Sequence, residues 1–378
     1  MSGQVTILGA SARGAAGSAA RAGWRVHAID LFGDEDLREL ATTERIARFP
    51  RDFVAALGRA PEAPWIYTGG LENQPNLVAR LARLRPLWGN GSAALRGVRD
   101  PSRLARVFHA AGLAYPEVRA AGETVRDGPG EPWLLKPLRG SAGLGVREAT
   151  EIEAPIPRGH FAQRYIAGTA TSAVFVAAAG AARLVGATRQ VIGRDWGLAL
   201  PYLYVGSIGP LALLPYELAM LARLGNVLAA EFSLVGLFNV DLVHDGQTWW
   251  TIEVNPRYSA SVEVLERGTG EQLFAWHVAA CERGMLPDDA EPVSTPKMAG
   301  KAVVYARADG IATARLAALV HDWNRNREWP LVADVPATGL PLQAGQPVVT
   351  VFAAGNSAKE VETELRRRAN EVLAAVEM

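Results

Sequence analysis

Cysteine is almost absent from this chain: Cys281 is the only one in 378 residues. A single thiol excludes an internal disulfide framework and a cysteine-based metal cluster. It sits in "WHVAACERG", a helical-looking stretch, and is expected to be a buried structural thiol. An excess of charge of one sign is lacking too, because 39 Lys plus Arg balance 39 Asp plus Glu. A neutral chain carries no electrostatic footprint for DNA or RNA. Long hydrophobic runs are also missing. The apolar stretch near Val174 is broken by Arg183 and the one near Val227 by Glu231, so nothing reads as membrane-spanning. The start, "MSGQVTILGA", lacks the basic flank and long apolar core of a signal peptide, and a cytoplasmic protein is expected. Lysine is scarce as well. Only Lys136, Lys297, Lys301 and Lys359 stand among the 39 basic residues. Arginine is the default cation here, so a lysine at a special position carries more information.

What is present is ordinary globular composition at a length that calls for two or three packed units. Val5 to Leu8, then "GASARGAAGSAARAGW", then "RVHAIDL" read as strand, Gly-rich turn, helix and strand, a βαβ opening with Asp30 ending the second strand. Gly9, Gly14 and Gly17 are spaced too widely for G-x-G-x-x-G, so a nicotinamide site is weakly supported. "PWIYTGGLEN" reads as a strand with Gly69 and Gly70 at its C-terminal edge, where open α/β sheets collect ligands. A helix is expected from about Ser102 to Ala111 and a domain boundary near Gly97. "GETVRDGPGEP" reads as a polar loop. "WLLKPL", a segment around Val146, "HFAQRYIAG" and "TSAVFVAAAG" read as strands. "PYELAMLARLGNVLAAEF" reads as a helix with Leu218, Leu221, Leu224, Val227 and Leu228 on one side. Near the C-terminus "KAVVYA" and "GLPLQAGQPVVTVFAAG" read as strands. A closing helix follows, with a Ser357/Glu360 capping box and an apolar side of Val361, Leu365 and Val372.

Two stretches carry chemistry. In "LLKPLRGSAGLGV" the backbone N–H groups of Gly140, Ser141, Gly143 and Gly145 can approach a phosphate, with Lys136 on the strand beneath. A Walker loop places its lysine after the glycines and opens a helix. Here strands flank the glycines, so the alternatives are a hairpin that folds over phosphates or a plain Gly-rich hairpin with an exposed lysine. The second stretch is "GLFNVDLVHDGQTWWTIEVNPRYS", a hairpin around Asp245-Gly246. Alternation puts Trp249, Thr251, Glu253 and Asn255 on one face and Trp250, Ile252 and Val254 on the other. Glu253 and Asn255 are hard oxygen donors suited to Mg²⁺, and Asp241 on the partner strand adds a carboxylate. A two-residue turn would put Asp241 and Glu253 on opposite faces, so a metal site requires an odd loop, such as Asp245 to Gln247, or a β-bulge. The alternative is a pair of solvated edge residues. Arg257 follows two residues after Asn255, where a metal and phosphates would meet. It also reads as an ordinary salt-bridge arginine.

"KPLRGSAGLGV", "FAQRYIAG" and "VD…IEVNPR", in that order, resemble the ATP-grasp superfamily over about residues 100 to 270. The resemblance implies an α/β fold, α+β within the ATP-grasp lobes. The expected division is a Rossmann-like pre-ATP-grasp domain (1–97), two lobes (98–290, hinge near 163–168) and a small C-terminal β-rich unit with a closing helix (291–378). It implies ATP and one or two Mg²⁺ ions. Lys136 and Gly140 to Gly145 would contact the phosphates, and Gln163, Arg164, Tyr165 and Ile166 would receive adenine. Asp241, Glu253 and Asn255 would hold Mg²⁺, with Lys136 and Arg257 at the reacting phosphate. Two positions depart from the pattern. The expected lysine after Asp100 is Pro101, with Arg103 as the candidate replacement, and the ribose-binding acid position is Ala170. Arg13, Arg189 and Ser207, beside Arg257, are weaker candidates for an acidic substrate. "RQVIGRDWG…PYLYVGSIGP" and "ADVPATGLPLQAGQPVVTVFA" resemble predicted ligases related to biotin carboxylase, found with archaeal-type one-carbon cofactors. The expected activity is a carboxylate–amine ligase, with glutamate and a tetrahydromethanopterin- or methanofuran-type cofactor as the suggested substrates. The expected partners are small molecules, with neither nucleic acid nor membrane, and the resemblance allows a homodimer. A bicarbonate-using carboxylase, a non-catalytic ATP-binding protein and a Rossmann oxidoreductase are the other readings.

Overall fold

The computed structural model describes residues 3–125, 132–149, 155–287 and 297–376. Most of the "GETVRDGPGEP" loop and the boundary expected at 290 lie outside the described residues. The chain opens with a parallel sheet of β1 (Gln4–Gly9), β2 (Arg25–Asp30), β3 (Thr42–Arg45) and β4 (Trp65–Tyr67), ordered β3-β2-β1-β4. From Val5 to Gly9 β1 is buried on both faces, as a strand covered on both sides must be. The helix Arg13–Arg21 follows it, completing the expected βαβ unit. Asp30 closes the turn between β1 and that helix. One carboxylate oxygen accepts from Ala12 N at 2.6 Å, and the other accepts from Phe32 N and Gly33 N at 2.7 and 2.6 Å. Its acceptors are therefore spent on backbone. The boundary expected near Gly97 falls in the last turn of the helix Ser92–Val98.

A small antiparallel sheet follows, of β5 (Val118–Arg119), β6 (Trp133–Pro137), β7 (Arg147–Ala149) and β8 (His160–Arg164), ordered β5-β8-β6-β7. Residues 165–168 connect β8 to the first strand of a large antiparallel sheet, so the expected hinge segment is the link between two sheets. The large sheet takes β9 (Thr169–Ala178), β10 (Ala181–Ile192), β11 (Tyr204–Gly209), β12 (Gly236–His244) and β13 (Trp249–Asn255). It also takes β14 (Met298–Tyr305), β16 (Val332–Ala333) and β18 (Pro347–Gly355). Its order is β13-β12-β9-β10-β11-β14-β18-β16. A two-stranded ribbon, β15 (Gly310–Ile311) with β17 (Pro341–Leu342), completes the strands. The C-terminal segment is β-rich and closed by the helix Ala358–Ala375, as the sequence reads. Its strands are not detached, because β14 pairs with β11 and continues the large sheet.

The helix Pro215–Phe232 packs on one face of the large sheet beside a stacked Phe175–Phe238 pair with ring centroids 5.0 Å apart. Its buried arc runs through Leu221, Leu224, Gly225, Leu228 and Phe232. Leu218, expected on that side, falls at the rim of the arc in the first turn and is exposed, while Val227 is only half-buried. On the other face lies the helix Ala260–Thr269, which carries Glu263. This carboxylate is fully buried. Arg13 Nη2 donates to it at 3.0 Å and Lys301 Nζ at 2.9 Å, while Arg13 Nε reaches Asp334 at 3.0 Å. Burial raises the Glu263 pKa, but Arg13 and Lys301 win and hold it well below the usual carboxylate range. One charge cluster thereby ties the N-terminal helix, the middle of the chain and the C-terminal strands together. The Ser357 cap forms, with its hydroxyl accepting from Glu360 N, although Glu360 returns its bond to Asn356 N. Cys281 is half-buried beside His277, and burial pushes its thiol up to about 12. Among the described residues no helix is long and apolar enough to cross a membrane.

Candidate active site

A cleft of about 530 Å³ lies between the small sheet and the large sheet, a size suited to a cofactor-scale ligand. Its floor on one side is the β12–β13 hairpin. His244 pairs with Trp249 across a four-residue loop, a register that would oppose Asp241 to Ile252. A β-bulge at Ile252 inserts one residue, and Asp241 stands directly opposite Glu253. This is the condition a shared carboxylate site required. The bulge also corrects the simple alternation. Trp249 and Val254 now pack in the same apolar cluster, while Ile252, Glu253 and Asn255 line the cleft.

The Asp241 carboxylate accepts from Asn239 Nδ2 and Gln190 Nε2 at 2.8 Å and from Asn255 Nδ2 at 2.9 Å. Burial and then the adjacent Glu253 push its pKa up to about 6, against the help of those amides. The fold thus disfavours two ionised carboxylates side by side unless a counter-charge joins them. Among the described residues no third acid, histidine or cysteine completes a protein-only metal cage. Two carboxylates plus amide oxygens fit a hard cation that keeps water or phosphate oxygens in its remaining positions, as Mg²⁺ does.

Across the cleft, Lys136 on β6 donates to the neutral amide oxygen of Gln163 at 2.7 Å. Burial lowers its pKa, and Glu253 and Asp241 oppose that shift. The loop joining β6 to β7 carries Gly140, Ser141 and Gly143 into the cleft wall, with Ala142, Leu144 and Val146. Gly145 lies between lining residues without lining the cleft itself. Gly143 has φ +75°, and a Cβ there would fall 1.8 Å from the Tyr202 carbonyl oxygen, so this loop can lie against the 202–204 segment only as glycine. Tyr204 N donates to Ala142 O at 3.0 Å at the same contact. Gln163, Arg164, Tyr165 and Ile166 also line the cleft, with Gln163 next to Lys136.

Arg257 lines the cleft and is gripped from behind. Its Nε and Nη2 both donate to Glu72 Oε1, at 3.0 and 2.7 Å, and Nη2 also reaches Asn255 Oδ1 at 3.3 Å. Glu72 comes from the "GLEN" stretch after β4 and is fully buried. Arg257 outweighs burial and lowers its pKa. Arg189 lines the cleft with its guanidinium paired to Glu362 at 2.6 Å.

Three expected residues are elsewhere. Arg13 is consumed by Glu263 and Asp334 in the buried cluster. Ser207 is fully buried behind the cleft, bonded to Tyr204 OH at 2.9 Å and Ser261 Oγ at 3.2 Å. Arg103 does not replace the lysine missing at Pro101, because its guanidinium stacks 5.0 Å from the Phe232 ring centroid. The cation that does enter is Arg99, one residue before the helix-capping Asp100. Its Nη1 donates to Glu253, and its Nη2 reaches Asn73 Oδ1 at 2.9 Å and Gly140 O at 3.0 Å. Reading the sequence forward from Asp100 misses Arg99. The signal for it in "GVRDPSR" is that Pro101, at the first helical position, offers no cation, while an arginine stands on the other side of Asp100.

The ATP-grasp family model, described as an ATP-grasp domain, matches residues 98–261. That segment is an ATP-grasp domain. It contains β5 to β13, and with them both walls of the cleft. No curated protein matches the chain by sequence. Solved structures share its fold around the ATP-grasp domain and beyond it. The biotin carboxylase domain dimer of Hydrogenobacter thermophilus 2-oxoglutarate carboxylase, in complex with MgADP, ADP and bicarbonate, is similar at TM-score 0.71 and 14% identity. The match covers 98% of this chain and 90% of that one. Phosphoribosylamine–glycine ligase from Thermotoga maritima is similar at TM-score 0.69 and 18% identity, covering 99% and 97%. L-amino acid ligase from Bacillus licheniformis is similar at 0.67 and 16%, also covering 99% and 97%.

Proposed function

We propose that this protein is an ATP-dependent carboxylate–amine ligase that works through an acyl phosphate and releases ADP and phosphate. The observation that carries the reading is the confrontation, across one cleft, of Lys136 and the glycine loop with the Asp241–Glu253 pair. ATP would lie between the two sheets with its phosphates under the glycine loop and its base toward Gln163–Ile166. Asp241, Glu253 and Asn255 would hold Mg²⁺, which neutralises phosphate charge as the phosphoryl group moves. The carboxylate oxygen of the substrate attacks the γ-phosphorus and the bond to ADP breaks. The amine nitrogen then attacks the acyl carbon, phosphate leaves, and the nitrogen gives up a proton. Lys136 and Arg257 offset the developing charge, and alignment in the cleft supplies the rest.

Glutamate, joined to a tetrahydromethanopterin- or methanofuran-type cofactor, is the proposed substrate pair, on the resemblance of the mid-chain and C-terminal strings. A homodimer is the proposed assembly, on the likeness to the dimeric Hydrogenobacter domain. The test is an ADP-release screen over amino acids paired with pterin, furan and nucleotide-precursor carboxylates, with a bicarbonate arm. Amine-dependent ADP release supports the ligase. Release that needs bicarbonate identifies a carboxylase instead, and ATP binding with no release under any pairing contradicts catalysis.

Glu72 gives a second prediction. Glu72→Gln keeps an acceptor oxygen for Arg257 but removes the charge that fixes its guanidinium. Steady-state kinetics should show kcat lower by about tenfold with an unchanged KM for ATP, the mark of an interaction made in the transition state. An unchanged kcat would mean that Arg257 needs no such grip.

A further inference from the structure

Arg99 links two parts of the cleft that the proposed reaction uses together. One guanidinium nitrogen donates to the Glu253 carboxylate, and the other to the Gly140 carbonyl at the root of the glycine loop. Asn73 from the N-terminal domain fixes the same nitrogen and also donates to Gly140 O, at 3.1 Å. Arg99 is largely buried, with 13% of its side chain exposed, yet it lines the cleft. A planar guanidinium has five donors, enough to serve a carbonyl and an anion at once.

We propose that Arg99 is a nucleotide-contacting residue that exchanges partners with the metal. The inference rests on the proposed function. Glu253 cannot give its charge fully to Arg99 and to a dication. When the metal takes Glu253, Arg99 loses its anion while remaining in the cleft wall, and desolvated cations require a partner. The phosphates that arrive with the metal are that partner. The exchange conserves local charge balance, since one carboxylate passes to the metal and one phosphate oxygen passes to Arg99. Nη2 keeps its bond to Gly140 O through the exchange, so the residue that answers the metal also holds the root of the loop that covers the phosphates.

The test compares wild type, Arg99→Ala and Arg99→Lys in two titrations: Mn²⁺ alone, read by electron paramagnetic resonance, and ATP with Mg²⁺, read by calorimetry. The two ligands should respond with opposite signs in Arg99→Ala. Mn²⁺ should bind more tightly because Glu253 is released. ATP with Mg²⁺ should bind roughly 10–100-fold more weakly, because a charge-assisted bond to phosphate is lost. Arg99→Lys should restore part of the nucleotide affinity, since it keeps the charge. It should also show faster amide exchange at residues 140–146 than wild type, since it lacks the fork that holds Gly140. Weakening of both ligands together would mark Arg99 as merely structural, and unchanged nucleotide affinity in Arg99→Ala would overturn the exchange; the proposed function would survive either result. No ATP binding by wild type would overturn the proposed function and this inference with it.

Discussion

Lys136→Ala should reduce ATP-dependent turnover by roughly 10²–10³-fold, the effect of deleting one preorganised charge at a transferring group. The lysine sits half-buried on β6, and its partner is the neutral Gln163 amide rather than a carboxylate. Burial already lowers its pKa, so its charge is maintained at a cost. A cation in that condition gains most from a polyanion, which is why the loss should fall on catalysis. The fold should tolerate the change, because removing Lys136 relieves a desolvated charge and leaves no buried carboxylate unpaired. Circular dichroism and thermal melting provide the control. Near-wild-type turnover in a folded Lys136→Ala protein would remove Lys136 from the site.

The second large effect is expected at the hairpin. Asp241→Asn and Glu253→Gln should each raise the Mg²⁺ concentration needed for half-maximal turnover by at least about 100-fold. Loss of a residue that merely orients a metal ligand costs roughly 10–100-fold, and a direct ligand should reach the upper end or beyond. Burial, and after it the facing Glu253, pushes the Asp241 carboxyl up to about 6, so a dication at the pair offsets both the desolvation and the repulsion. Neutralising either partner removes that reason to bind metal. Titrating Mg²⁺ into turnover assays of both variants checks this, and a metal dependence unchanged in both would make the hairpin structural.

Much of this site was legible in the sequence because its parts are local. Lys136 and Gly140 are four residues apart, and Glu253, Asn255 and Arg257 follow one another at steps of two. Strand periodicity alone relates such residues. The meeting of Asp241 and Glu253 was legible only as a condition, since a four-residue loop opposes the wrong residues and the bulge at Ile252 is not written in residue type. What depends on chain segments far apart was not legible. Arg99 reads as one arginine among many until Glu253, Gly140 and Asn73 converge on it. Arg13 looked available in its Gly-rich turn, but Glu263 and Asp334, hundreds of residues away, consume it. The same holds for the fold. The C-terminal strands were recognised one by one, while their pairing with β11 into the large sheet is a long-range choice that strand patterning does not specify.

The central claim is that one cleft holds a nucleotide between Lys136 and the Asp241–Glu253 pair. Calorimetric titration of ATP into the wild-type protein, with and without Mg²⁺, tests it most directly. The account predicts saturable binding at one site that tightens when Mg²⁺ is added, whereas no saturable binding, or equal affinity with and without the metal, would contradict it.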